Sequence, residues 1–121
     1  MNYRQRLGHW GETAAAKYLE EHGFTIVERN VRTPYGEIDL IAQQGELIVF
    51  VEVKTRASES FGPPEISITP RKLEHLLNSA QFYIQEHPDW DGAWRIDAIA
   101  ILRKGKDSQP TIMVFENVCQ G

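Results

Sequence analysis

Cysteine is nearly absent from this chain of 121 residues. Its one copy, Cys119, excludes an internal disulfide; lying in the last three residues with no base beside it, it reads as a free thiol rather than a nucleophile. No long apolar run occurs and mean hydropathy is -0.41, which excludes a membrane-spanning helix and predicts a soluble chain. An excess of positive charge is lacking as well. Lys and Arg number 13 against 17 Asp and Glu, a net charge of -4, which argues mildly against wholesale coating of nucleic acid and leaves a local site open. The N-terminal stretch MNYRQRLGHWGETAAAKYLEEHG carries charges where a signal peptide needs apolar residues, so a cytoplasmic location is expected. No repeat or low-complexity tract appears, and His9, His22, His75 and His87 lack metal-ligand spacing.

What is present fits one domain over residues 1–121. Leu7, Gly11, Ala14, Ala15, Tyr18 and Leu19 recur at helical spacing, predicting a helix over 3–22 that Gly23 ends. Strands are expected at 24–32, 36–43 and 46–56, the last two joined by a tight hairpin at Gln43-Gln44-Gly45. Thr69 as N-cap and Pro70 in the first turn open a second helix that runs to His87-Pro88, and strands are expected at 94–103 and 111–118. The predicted fold is α/β, a mixed sheet flanked by helices in the order α-β-β-β-α-β-β.

The stretch GEIDLIAQQGELIVFVEVKTR, residues 36–56, departs from the ordinary. Seven of the nine residues from Leu47 to Thr55 are apolar or β-branched, the signature of a strand buried on both faces, yet Glu52 and Lys54 sit at its downstream end. Side chains alternate along a strand, so Ile48, Phe50, Glu52 and Lys54 share a face. On the preceding strand Asp39 lies between Ile38 and Leu40. A hairpin whose paired positions sum to an odd number, as with a loop at 44 and 45, puts Asp39 and Glu52 on one face as opposite or diagonal neighbours. Two carboxylates about 4 Å apart repel by roughly 4 kcal/mol at an effective dielectric near 20, so positive charge is required between them. Lys54 supplies part of it, and a hard divalent cation such as Mg²⁺, which takes oxygen ligands and keeps several waters, supplies the rest. Such an ion could polarise a phosphate and acidify a water, with Lys54 orienting that water or offsetting charge on the transition state. Glu12, flanked by Gly8, Gly11, Ala15 and Ala16, could reach the same end of the sheet. Against this stands a plain alternative: E-x-K at a strand end is a weak pattern, and an exposed pair there would be solvated and energetically slight.

The ordered set of helix Glu12, strand Asp39 and Glu52-Val53-Lys54 resembles the PD-(D/E)XK nuclease core, the restriction-endonuclease-like fold shared with archaeal Holliday-junction resolvases. More closely, LGHWGETAAAKYLEEHGF, RNVRTPYGEIDLIA, LIVFVEVKTR and RIDAIAI are similar to the YraN-like family of small bacterial proteins, over nearly the whole chain from Leu7 to about Asn117. The resemblance implies a restriction-endonuclease-like core in which Asp39, Glu52 and the backbone carbonyl of Val53 hold Mg²⁺ or Mn²⁺. Lys54 would position water, and Glu12 would take the place of the helix acid. Ile38 stands where the motif's name specifies proline. The implied activity is metal-dependent endonucleolytic cleavage of nucleic acid, with DNA and branched substrates favoured by analogy, and the size implies a homodimer for meeting both strands.

Other residues are weighed by the same physics. Arg56, Arg71 and Lys72, around the loop and helix start after the active strand, suit phosphate contacts. Asp97 reads as half of a structural ion pair with Arg95 or a neighbouring arginine rather than as a metal ligand. Gly62-Pro63-Pro64-Glu65 reads as a connection before a substrate loop, and Trp10, Trp90 and Trp94 as core or interface residues. Short basic clusters such as Arg4 with Arg6, Arg29 with Arg32, and Arg103 to Lys106 are mostly solvated charge. Two other functional classes stay open: a module that binds nucleic acid without cutting it, and a structural domain in which Asp39, Glu52 and Lys54 form a satisfied network.

Overall fold

Helix α1 (Tyr3–Glu21) starts where Asn2 and Gln5 cap each other: Gln5 N donates to the Asn2 side chain at 2.8 Å, and Asn2 N donates to the Gln5 side chain at 3.0 Å. It ends at His22, and Gly23 follows at φ +89°, the left-handed conformation that turns the chain out of a helix. Its buried residues are Gly11, Ala15, Ala16 and Leu19. Three of these are small, and a Cβ on Gly11 would run into the side chain of Thr55, so the glycine is what lets helix backbone lie against the sheet. These relations come from a computed structural model, which describes residues 1–57, 68–103, 105 and 109–118.

Five strands follow and form one sheet in chain order: β1 (Thr25–Thr33), β2 (Gly36–Gln44), β3 (Leu47–Arg56), β4 (Ala93–Leu102) and β5 (Thr111–Phe115). Helix α2 (Pro70–Gln85) lies between β3 and β4, which pair in parallel; the other pairs are antiparallel. A parallel pair needs a crossover, and α2 is its helix. It opens as the sequence predicts, with Lys72 N donating to the Thr69 hydroxyl at 3.1 Å and Pro70 in the first turn.

Each helix covers one face. Leu40, Ala42, Val49, Val51, Ile99 and Ile101 form a core with Ala15, Ala16 and Leu19 of α1. Ile38, Ile41, Ile48, Phe50 and Ile96 form a second core with Leu76, Ala80 and Tyr83 of α2. This double cover explains why β3 reads as a continuous apolar run instead of an alternating one. Phe50 is 1% exposed and meets Tyr83 and Trp94 edge to face at 5.6 and 5.7 Å, a burial worth about 1.5–3 kcal/mol. Trp10 packs against the α1 core, Trp90 and Trp94 against the α2 core.

The element order and the mixed sheet match the expectation, with two local differences. The hairpin loop is Gly45-Glu46, one residue later than expected, because Gly45 takes φ +59° at the first loop position and Gln44 pairs with Leu47. Strand β5 stops at Phe115 rather than 118, because Asn117 adopts φ +53° and donates its backbone N–H to Asp97 at 2.9 Å instead of continuing the ladder. Gly62 to Glu65, Lys106 and Cys119 lie outside the described residues. Among those described, no helix is long and apolar enough to cross a membrane.

Candidate metal centre at a fork in the sheet

Strands β2 and β3 pair from Gln44↔Leu47 as far as Leu40↔Val51 and then part. Beyond that point β2 stays paired with β1 to Gly36, and β3 stays paired with β4 to Arg56, so a wedge opens between them at Asp39 and Glu52. The wedge is bridged by a side chain: Val53 N donates to Asp39 Oδ2 at 2.8 Å. A strand residue's N–H and C=O emerge on the same edge, so the Val53 carbonyl also faces the wedge.

Glu52 is 6% exposed, the most buried acid beside this opening. Its Oε1 lies 3.5 Å from Lys72 Nζ, and its Oε2 has no hydrogen-bond partner among the described residues. Burial, and after it the charge of Asp39, push its pKa up to about 7 against the pull of Lys72 and Lys54. Asp39 is also raised, first by burial, with the Val53 amide, Lys72 and Lys54 opposing. Glu12 is raised by burial and then by Asp39. All three acids are displaced in the same direction, chiefly by burial.

Glu12 reaches this site from the α1 side. Arg29 Nη2 is 4.0 Å from its Oε1, and the side-chain amide of Asn30, oriented with its nitrogen toward the acids, donates to Glu12 Oε1 at 3.1 Å and to Glu37 Oε1 at 3.2 Å. The register of β1 on β2 shifts between Ile26 and Glu28, and Asn30, between the Arg29↔Leu40 and Val31↔Ile38 pairs, takes φ +53°, a conformation uncommon for any residue but glycine. The alternation of β2 slips at the same place: Ile38 and Ile41 pack with the α2 core, Leu40 and Ala42 with the α1 core. A groove of about 350 Å³ lined by Gln5, Gly8, His9, Glu12 and Asn30 adjoins it.

The structure thus brings together Asp39, Glu52, the edge of Val53 and, from the other side, Glu12. Lys54 is exposed on the face of Glu52, and Arg71 is exposed at the start of α2. Arg56 is half-buried at the end of β3, with its Nη1 buried and without a partner among the described residues. Lys72, expected among the phosphate contacts, is found instead as the ion-pair partner of Glu52. Sequence reasoning missed that pairing, and it missed the role of Asn30. The available signals were Thr69-Pro70, which fixes Lys72 in the first helical turn, and an asparagine inside a β-branched run. Asp97 behaves as expected: Arg95 donates to both of its oxygens, at 3.0 and 3.2 Å.

The donor set fits a hard cation. Two carboxylates and a backbone carbonyl are all oxygen, and the orphaned Glu52 Oε2 is a ready acceptor. Among the described residues no three His, Cys, Asp or Glu side chains are grouped for a metal, so an ion held here would keep several waters, as Mg²⁺ does.

Comparison with known proteins gives the chain its relatives. A UPF0102 protein of Syntrophomonas wolfei subsp. wolfei is 46% identical over 98 residues, 81% of this chain and 85% of that protein. One from Beutenbergia cavernae is 45% identical over 103 residues, 85% and 87% of the two chains. One from Desulfitobacterium hafniense is 42% identical over 119 residues, 96% and 98%. Among solved structures, SfsA of Pyrococcus furiosus in complex with Ca²⁺ is similar at 17% identity and a TM-score of 0.42, with 93% of this chain spanning 63% of that one. The model of the family described as Uncharacterised protein family UPF0102 matches residues 11–101, and the chain belongs to that family.

Proposed function

We propose that this protein is a metal-dependent endonuclease that hydrolyses phosphodiester bonds in nucleic acid, with DNA, including branched or structured DNA, as the substrate. The observation that carries this reading is the wedge between β2 and β3, where Asp39 and Glu52 converge beside the open edge of Val53 with one Glu52 oxygen left unpartnered. In the PD-(D/E)XK pattern that the sequence resembles, these residues are the ligands of Mg²⁺ or Mn²⁺. The chemistry a divalent ion supplies at such a site is neutralisation of a phosphate oxygen and acidification of a water.

The chain's own groups do the rest. Asp39, fixed by the Val53 amide, and Glu52, fixed by burial, set the position of the ion. Lys54, exposed at the mouth, holds the attacking water and offsets charge as the phosphorus centre gains a fifth oxygen. Arg71, exposed at the α2 start, and Arg56 at the end of β3 meet flanking phosphates, which bind without reading sequence. A second copy of the chain would present the other strand of a duplex with an identical centre.

Incubation with branched, single-stranded and duplex DNA in Mg²⁺ or Mn²⁺ tests the proposal. Cleavage is expected to fall about a hundredfold or more in Glu52→Ala and Lys54→Ala. Cleavage that survives both substitutions belongs to a contaminant and overturns the reading. A second reading, a nucleic-acid-binding module without cleavage, is favoured by the small number of acidic ligands among the described residues. It predicts salt-dependent binding indifferent to metal and to loss of Glu52.

A further inference from the structure

Two lysines stand near the acid pair, and they are not equivalent. Lys54 is exposed and, among the described residues, makes no ion pair. Lys72 is half-buried in the first turn of α2, its backbone N–H tied to the Thr69 cap, and its Nζ is 3.5 Å from Glu52 Oε1. Lys72 also acts more strongly than Lys54 on both Asp39 and Glu52. The ammonium group that pairs with Glu52 therefore comes from a different element than the E-x-K motif.

We propose that Lys72 is a stand-in cation: its ammonium occupies the charge position between the acids when no metal is present, and a divalent ion enters only by displacing it from Glu52. This rests on the reading of Asp39 and Glu52 as metal ligands. The physical grounds are charge and space. Once ionised, the buried Glu52 carboxylate needs a counter-charge, and an ammonium held at its Oε1 would strongly repel a doubly charged cation taken by the neighbouring Oε2 of the same group. Lysine suits such an exchange better than arginine, because a point charge on a flexible four-carbon stem leaves without breaking a planar bidentate contact. Once displaced, the ammonium remains on the first turn of α2, whose free amides also favour anions, and there it meets the phosphate that the metal neutralises. Lys72 is accordingly a positioning residue that sets metal affinity, while Lys54 keeps the water.

Calorimetric titration with Mn²⁺ at about pH 8, where the model-compound carboxylates are ionised, tests the exchange in wild type, Lys72→Met, Lys54→Met and Asp39→Asn. Lys72→Met is expected to bind Mn²⁺ about tenfold more tightly than wild type, the factor that corresponds to about 1.4 kcal/mol of ion pairing no longer broken. Lys54→Met is expected to shift affinity several-fold less. A merely structural Lys72 would give the opposite sign, since loosening the site weakens binding. Equal or weaker binding by Lys72→Met, with Asp39→Asn abolishing it, overturns the stand-in role and leaves the metal site intact. Absence of Mn²⁺ binding in wild type and Lys72→Met alike overturns both. A melting temperature in EDTA serves as the second measurement: Lys72→Met is expected to melt lower than Lys54→Met, and the reverse order counts against the Glu52 pairing.

Discussion

Two acids sit almost equally deep in neighbouring strands of this sheet, and they are provided for in opposite ways. Asp97 on β4 is 4% exposed and receives three hydrogen bonds, two from Arg95 and one from the Asn117 backbone. Glu52 on β3 is 6% exposed, has one lysine at 3.5 Å and keeps an oxygen with no partner among the described residues. Burial alone therefore does not distinguish a fully partnered acid from one left short of partners. The number of donors left wanting does, since buried polar groups are ordinarily satisfied and an exception asks for a ligand or a proton.

The strongest way to break this comparison is to remove each acid. Asp97→Ala is expected to lower stability by about 2–3 kcal/mol in urea unfolding, because it leaves the Asn117 N–H without its acceptor and Arg95 with only the exposed Glu116. If the loss is below ~1 kcal/mol, Asp97 is not the clasp described here. Glu52→Gln should do the reverse. With its folded pKa at about 7 against an ordinary 4.5, Glu52 retains a proton in the native state that the unfolded chain releases, so metal-free stability falls as pH rises through that window. Glu52→Gln removes the fall and is expected to be more stable than wild type by about 2 kcal/mol at alkaline pH, with no difference below the window. A destabilised Glu52→Gln at high pH would place Glu52 in the same class as Asp97. The smallest effect sharpens the boundary: Asn30→Gly keeps the positive φ but removes the amide that lowers Glu12, so the Glu12 carboxyl should titrate still higher by NMR. An unchanged titration would detach Asn30 from the site.

How much of this the sequence disclosed depended on the range of the cause. Periodicity and caps located both helices and all five strands within a few residues, because they record which face each element buries. The odd hairpin sum placed Asp39 and Glu52 on one face despite a loop misplaced by one residue, since both loops keep the sum odd. The Arg95–Asp97 pair was legible because an i, i+2 spacing on one strand is local. Lys72 against Glu52 was not. That contact is set by how α2 docks across the sheet, which no spacing within either element records. Nor was Asn30, because a left-handed residue inside a strand leaves the hydrophobic pattern of its neighbours nearly intact.

The parting of β2 from β3 has a mechanical consequence. Each wall of the opening is stitched along its outer margin to a separate neighbour, β1 on one side and β4 on the other, so neither can lean across without tearing a seam. An aperture framed in this manner has its width set by the sheet itself, so any guest it took would have to fit rather than be wrapped.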